Sequence, residues 1–554
     1  MDINNKLPLD MVYHWETARA ELIYMTQPMG DGKVVDYTWR RAVGEARRMA
    51  AYLKSLGLPE GSRIAILSKN CAHWIMTDWA IWMAGHVSVP LYPTLNADTV
   101  EYVLDHAGCE VLFVGKLDDW DTMKPGVPDS VRCISYPLSP PNDFETWDDI
   151  VSKHPPLEQN TRRSADDLAT IVYTSGSTGR PKGVMLSFGA MAYAARGGTE
   201  FMNVSSNERV LSYLPLAHVF ERTFVELGSI YCGFHIYFAD SLDTFVEDLR
   251  RARPTLFVSV PRLWVKFQHG VLQKMPRKKL DMLLKLPVLR GVIKKKILQQ
   301  LGLDKVRLAA SGSAPLAGDV LEWYRSLGLE LLEGYGMSEN FAYSHMSRPG
   351  RARTGYVGEP LPGVEVKIGE HGEVLVKSPG SMLGYYKDEE KTREAFTEDG
   401  YLRTGDKGEL DELGRLRLTG RLKEIFKTSK GKYIAPAPIE NRLMSHSAIE
   451  MVCVSGANQT QPHALVMLDE ETSSRLADSA IRADLEKSFR ELIAEVNKTV
   501  DPHEQLAFIK VVSDDWSIEN DFLTPTLKLK RNMVEDAYAP QVDEWYARRE
   551  PVIW

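Results

Sequence analysis

Apolar residues in this chain gather in short runs, and the stretches between them repeat at helical spacing. Arg63-Ile-Ala-Ile-Leu67, Val87-Ser-Val-Pro-Leu-Tyr92 and Val111-Leu-Phe-Val114 have the length of buried strands. Helices are expected at 74–85 and 97–106. Further upstream, a helical pattern runs from Trp39 to about Leu56, with Thr38 placed to cap its start and Gly57 to stop it. Strand, helix and strand in alternation predict a parallel sheet covered on both faces. Residues 118–165, rich in Pro, Asp and Ser, read as a surface connection. Strand signals resume at 169–173, 210–213, 255–260, 308–311 and 331–333, with helices at 188–197 and from Arg262.

The pattern changes after residue 356. Short strands at 364–368, 373–376, 408–410 and 416–418 alternate with glycine and acidic turns, as in a small β-barrel or sheet. The basic stretch Gly420-Arg-Leu-Lys-Glu-Ile-Phe-Lys-Thr-Ser-Lys-Gly-Lys432 marks a boundary. Strands at 451–454, 464–468 and 508–512 and a helix at 481–496 follow, predicting a separate small α+β domain. The expected fold is therefore α/β. A large multi-layer N-terminal domain (1–420) carries a β-barrel-like subdomain, and a small α+β domain (421–554) follows it.

At 554 residues the chain exceeds a single core. A net charge of -8 argues against a nucleic-acid partner. Cysteines 71, 109, 133, 232 and 453 lack metal-ligand spacing and suit reduced cytosolic thiols. Residues 1–6 show no secretory signal. The most apolar segments, 75–92 and 211–239, carry Asp78, Glu221, Arg222 and Glu226, so a transmembrane helix is not expected. The expected location is the cytoplasm.

Candidate chemistry centres on Thr174-Ser-Gly-Ser-Thr-Gly-Arg-Pro-Lys-Gly183. Glycines let successive backbone N–H groups converge on an anion, hydroxyls add donors, and Lys182 adds a mobile positive charge. Pro181-Lys182-Gly183 departs from the Gly-Lys-Ser/Thr ending of a Walker loop. Taken alone, the stretch is equally a solvated turn. His218, after Leu214-Pro-Leu-Ala217, is on its own either a core residue or a reactive one. Two turns, around Ser313-Ala-Pro315 and Glu333-Gly-Tyr-Gly-Met-Ser-Glu339, pair small residues with an aromatic and suit a flat base. Asp406, in Gly400-Tyr-Leu-Arg-Thr-Gly-Asp406, either caps a turn or accepts ribose hydroxyls.

In this order the segments resemble the adenylate-forming enzymes: acyl-CoA synthetases, luciferases and peptide-synthetase adenylation domains. The resemblance spans about 35–540. It implies a phosphate loop of Thr174, Ser175, Gly176, Ser177, Thr178 and Gly179 with Lys182, and an active-site His218. Adenine would be held by Ser313, Ala314 and Pro315 and by Glu333, Gly334, Tyr335, Gly336, Met337 and Ser338, with Tyr335 stacking. Glu339, with the Thr174 hydroxyl, would bind Mg2+. Asp406 would bind ribose, Arg421 ribose or phosphate, and Lys427 phosphate. Lys423 would be the hinge of a mobile C-terminal domain, with the active site between the two domains. Leu523-Thr-Pro-Thr-Leu-Lys-Leu-Lys-Arg531 stands where most of the family has a Ser-Gly-Lys loop. Lys528 is the implied catalytic lysine and Lys530 its register-shifted alternative.

The implied chemistry has two steps: a carboxylic acid and MgATP give acyl-AMP and pyrophosphate, then coenzyme A displaces AMP. No aspartate near His218 offers itself to a substrate ammonium, which favours a simple carboxylic acid. Leu214-Pro-Leu-Ala-His-Val-Phe-Glu-Arg222 and the 523–531 loop look most like bacterial long-chain fatty acyl-CoA synthetases. A ligase for a medium-chain or aromatic acid, or an acyl-AMP ligase serving a carrier protein, is the alternative. A catalytically dead acyl or nucleotide sensor fits poorly with every charged motif residue retained. Oligomeric state is not legible.

Residues 275–307 hold ten Lys or Arg against Asp281 and Asp304, interleaved with leucines. Two readings stay open: a solvated helical pair packed on the core, or a peripheral contact with the inner face of a membrane.

Overall fold

A computed structural model describes residues 5–174, 180–524 and 527–554. The apolar runs become neighbours in one eight-stranded sheet. Its order is Gly384–Tyr385, Lys182–Ser187, Leu168–Thr174, Val87–Leu91, Arg63–Leu67, Cys109–Val114, Arg132–Ser135 and Glu145–Thr146. The six strands from Leu168–Thr174 onward are parallel, and the first two pair antiparallel. Alternate residues serve different cores: Ile64 and Ile66 join one cluster, Ala65 and Leu67 another. Both faces are thus covered, as a parallel sheet requires. Helix Trp39–Ser55 begins at the expected cap, where Arg41 N donates to Thr38 Oγ1 at 3.2 Å.

The stretch 118–165 is not the surface connection expected of it. Arg132–Ser135 and Glu145–Thr146 extend the large sheet, and helix Trp147–Lys153 seats a fully buried Trp147 in the main core. Strands of four and two residues are too short for their periodicity to stand out among prolines and aspartates.

Two more sheets complete the large N-terminal domain, one of four strands beginning with Ile23–Pro28 and one of five running from Leu256–Ser259 to Glu359–Pro360. Residues 365–421 then form a four-stranded antiparallel sheet, the sheet form of the expected barrel or sheet. The smaller C-terminal domain has its own four-stranded sheet, from Ile449–Ser455 to Val552–Ile553. Helix Ser479–Asn497 packs Leu485, Phe489, Ile493 and Val496 onto its strands. An ion pair between Arg262, in helix Pro261–Lys274, and Glu450 ties the two domains together.

Charges that break the apolar segments meet in the core. Arg222 opens a π-helical segment, Arg222–Leu227, and is buried with Asp78 and Glu226. Its guanidinium donates to Asp78, to Glu226 Oε2 at 3.2 Å and to Thr170 Oγ1 at 2.7 Å. Two carboxyl groups face one cation. Burial, and then the nearby Asp78, raise the Glu226 carboxyl well above the carboxylate range, so the cluster keeps one proton and no net charge. Among the described residues, no helix is long and apolar enough to cross a membrane.

Candidate active site

The strands that flank the phosphate-loop sequence, Leu168–Thr174 and Lys182–Ser187, pair antiparallel in the large sheet. Thr174 and Lys182 are register partners, so the sheet fixes the positions of these two residues. Ser175, Gly176, Ser177, Thr178 and Gly179 lie outside the described residues. Lys182 Nζ sits 4.9 Å from the centre of the Tyr385 ring on the adjoining edge strand. Burial lowers the pKa of this amine, and repulsion from Lys391 adds to the effect. Tyr385 Oη donates to Glu339 Oε1 at 2.8 Å. The edge strand thereby carries one ring that touches the loop lysine and one hydroxyl that orients the acidic residue.

The two small-residue turns are tied to each other. Leu316 N donates to the Glu333 carboxylate at 3.2 Å, across from the exposed Ser313, Ala314 and Pro315. Burial raises the Glu333 carboxyl to about 7. Gly334, Tyr335, Gly336, Met337 and Ser338 leave the same strand, and Asn340 Oδ1 accepts from Met337 N at 2.9 Å. Gly336 is a close approach: a Cβ there would lie 2.6 Å from the backbone of Ala342. Tyr335 is half-buried and donates to Asp406 Oδ2 at 2.6 Å, while Arg421 Nε donates to Asp406 Oδ1 at 2.8 Å. Asp406 and Arg421 are partners in adjacent strands, which is why residues 15 apart in sequence meet.

His218 caps the short helix Val219–Glu221, and Phe220 N donates to its Nδ1 at 3.1 Å. With Nδ1 accepting, a neutral ring carries its proton on Nε2. Burial, and then the charge of Lys528, lower its pKa to about 4, so the ring is neutral near pH 7.

Lys528 comes from the C-terminal domain. Its backbone N donates to Thr524 Oγ1 at 3.0 Å within a tight turn, and the preceding Leu527 has φ +58°. Much of the side chain is exposed, yet protein on both sides desolvates the amine and lowers its pKa. Arg421 adds to that shift, and Asp406 and Glu339 oppose it. The turn thus brings Lys528 within electrostatic reach of His218, Glu339 and Asp406. Lys530 is held elsewhere, paired with Asp521. Lys423 lies in the turn Leu422–Glu424, within reach of Lys182. Lys427 sits 5.6 Å over the Tyr433 ring, and no ion pair among the described residues ties it to the others.

Two residues beyond His218, a narrow apolar cavity of about 20 Å³ begins at Phe220 and is lined also by Phe224, Val225, Leu256, Val258 and Leu308, with Glu221 in its wall. Glu221 Oε1 accepts from Ser212 Oγ at 2.8 Å and Tyr213 N at 3.1 Å, and burial raises this carboxyl to about 8.

The AMP-binding enzyme family matches residues 16–386, more than half of the chain, and its C-terminal domain matches 423–550. The chain belongs to this family. It is 31% identical to long-chain-fatty-acid–CoA ligase FadD15 of Mycobacterium bovis, over 97% of this chain and 96% of that protein. It is 32% identical to peroxisomal long chain acyl-CoA synthetase 6 of Arabidopsis thaliana, over 93% and 82%. The fold matches the adenylation domain of a carboxylate reductase from Mycobacterium chelonae, with TM-score 0.82 at 21% identity, over 98% of this chain and 92% of that one.

Within this AMP-binding enzyme the donor set suits magnesium. Among the described residues no three His, Cys, Asp or Glu side chains cluster as a metal cage. Glu339 has one oxygen engaged by Tyr385 and the other without a donor among the described residues. A single carboxylate is the sparse protein contribution expected when phosphate and water supply the remaining ligands. The sequence did not point to Tyr385 or Glu221. Gly384-Tyr-Tyr386 stands alone without periodicity, and Glu221 reads as a break in an apolar run.

Proposed function

We propose that this AMP-binding enzyme activates a long-chain fatty acid through acyl-AMP and transfers the acyl group to coenzyme A. The observation that carries this reading is the likeness to a long-chain-fatty-acid–CoA ligase along 97% of the chain. Phe220 lines the narrow apolar cavity and its backbone N–H donates to His218, so a widening of this cavity would give an aliphatic chain a path beginning beside His218. End-to-end likeness to long-chain ligases supports the chain length.

In the first step the acid's carboxylate oxygen attacks the α-phosphorus of ATP, and the bond to pyrophosphate breaks. Lys528 would bridge the two anions, offsetting a repulsion that otherwise keeps them apart. Lys182 and the amides of the 174–183 loop would take the outer phosphates. Glu339 and Thr174 would hold magnesium, which when bound would supply charge neutralisation for the departing pyrophosphate. Each Asp406 oxygen keeps a lone pair for a ribose hydroxyl, while its bond to Tyr335 orients the ring on which adenine would stack. Ser313, Ala314 and Pro315 would close the other side of the base. Arg421 would hold ribose or phosphate, and Lys427 an outer phosphate once the small domain moves. In the second step the thiol sulfur of coenzyme A attacks the acyl carbon, and AMP leaves.

We place the domain boundary at 420/421, one residue before the end of strand Leu416–Arg421, with Lys423, in the turn that follows, as the proposed hinge. All five cysteines are unpaired, which suits the reducing cytoplasm.

The test is a panel of carboxylic acids of increasing chain length, assayed for AMP release with and without coenzyme A. Rates peaking at long saturated chains, with AMP release dependent on coenzyme A, are expected. A peak at medium-chain or aromatic acids would replace the acid, and full turnover only with a carrier protein would replace the acceptor.

A further inference from the structure

Helix Pro287–Gln300 is apolar on two sides. Ile293, Ile297 and Leu298 pack inward, against a cluster that includes Trp264 and Leu280. Leu289 and Val292 project outward, 44% and 64% exposed. Met282 and Leu286, in the preceding helix Arg277–Leu284 and the turn after it, are 58% and 44% exposed. A surface helix ordinarily turns polar side chains to the side facing solvent. Four aliphatic chains standing together on a helical hairpin call for a partner.

The charges around them say which partner. Lys278, Lys285, Arg290, Lys295 and Lys296 are exposed on the same hairpin. Among the described residues, none of the eight cations from Arg277 to Lys296 takes part in an ion pair. Of the segment's two acids, Asp304 is engaged by Arg253 at 2.7 Å, and Arg307 is held by Glu208 at 2.6 Å. This excess of cations sits in a chain whose net charge is -8. On helix Pro287–Gln300 the outward sequence Leu289, Val292, Lys295 and Lys296 interleaves the two chemistries at helical spacing.

We propose that this hairpin docks the protein on an anionic phospholipid surface, with Met282, Leu286, Leu289 and Val292 entering the headgroup boundary and the lysines lying on lipid phosphates. Aliphatic side chains gain transfer free energy at the acyl boundary of a bilayer and nothing along a nucleic-acid backbone, which selects lipid over other polyanions. The proposal is independent of the reaction assigned above, because binding needs no substrate.

Sedimentation of the full chain with vesicles tests it. Vesicles of equal parts phosphatidylcholine and phosphatidylglycerol are expected to carry the protein down, and pure phosphatidylcholine vesicles to leave it in solution. Each basic residue near such a surface contributes about fivefold. Arg290→Gln/Lys295→Gln/Lys296→Gln should therefore weaken binding on the order of a hundredfold. Met282→Ser/Leu286→Ser/Leu289→Ser/Val292→Ser should remove the part of binding that survives high salt. All seven positions are exposed, so both variants should keep the wild-type unfolding midpoint. Absent sedimentation, equal sedimentation with both vesicle types, retention by duplex DNA without vesicle binding, or wild-type binding by both variants would each overturn the proposal.

Discussion

Lys182 and Lys528 approach one carboxylate, Glu339, from unlike supports. Lys182 stands in a strand of the eight-stranded sheet, pinned by its register to Thr174 and by the Tyr385 ring. Lys528 stands in a tight turn of the smaller domain behind a leucine in the left-handed region. A lysine built into a sheet can only hold what arrives. One carried on a separate domain can be brought in and taken away. The contrast suits a reaction whose two steps need different neighbours around one acyl group.

The sharpest way to break this contrast is to remove the carried lysine. Lys528→Ala is expected to slow acyl-AMP formation by a factor on the order of 10² to 10³. Conversion of supplied acyl-AMP to thioester should stay within a few-fold. Lys423→Pro, which restricts φ at the proposed hinge, should show the opposite pattern. Because Lys530 is held by Asp521, Lys530→Ala should be nearly neutral. Single-turnover assays of each half-reaction read all three, and equal mild losses in both halves would show Lys528 to be an ordinary surface lysine.

A second test asks whether the fixed half is as dry as its geometry says. Burial raises Glu221 to about 8 in the folded chain, whereas an unfolded carboxyl titrates near its ordinary value. Between those values the folded state keeps a proton that the unfolded state has released, so stability falls as pH rises through this window. Glu221→Gln removes that dependence. The variant's unfolding midpoint should gain on the wild type between pH 5 and pH 8, by the equivalent of about 3.5 kcal/mol. A constant difference between the two midpoints would show Glu221 to be ionised throughout.

Smaller effects refine each side. Tyr385→Phe keeps the ring beside Lys182 and deletes the hydroxyl on Glu339. About a tenfold loss in adenylation, relieved by raising magnesium, is expected for one charge-assisted hydrogen bond. Magnesium-independent loss would point to Lys182 instead. Leu527→Gly tests the carried side: the leucine is 54% exposed and its φ of +58° costs about 1–2 kcal/mol. Glycine removes that strain and adds unfolded-state entropy, so a gain below about 1 kcal/mol is expected. A lowered unfolding midpoint would show that the leucine side chain matters to packing.

Local signals made much of the frame legible. Strand Arg63–Leu67 and the cap at Thr38 are coded by neighbouring residues, and both appear where apolar runs and capping chemistry put them. The meeting of Asp406 with Arg421 follows from strand pairing, which motif order alone does not reveal. The strand Arg132–Ser135 was hidden because its partner, Cys109–Val114, rather than its own composition makes it a strand. Tyr385 was missed for a like reason: only the edge pairing of Gly384–Tyr385 aims it at Lys182 and Glu339. The choice between Lys528 and Lys530 depended on a turn closed by Thr524, a contact that no periodicity encodes.

The buried trio of Asp78, Arg222 and Glu226 has a consequence for how this protein can change over generations. Losing Arg222 strands two acids, and losing Asp78 leaves the cation with Glu226 alone and a shared proton displaced. Removing one partner of such a group costs about 3–5 kcal/mol, whereas replacing the whole group with matched apolar residues is often neutral. The single-residue route through loss of Arg222 therefore passes through a poorly folding ancestor, whereas loss of the protonated Glu226 would leave a neutral Arg222–Asp78 pair. Descendants of this chain are held to Arg222 by the depth of that valley, not by any advantage of the arrangement over an oily core.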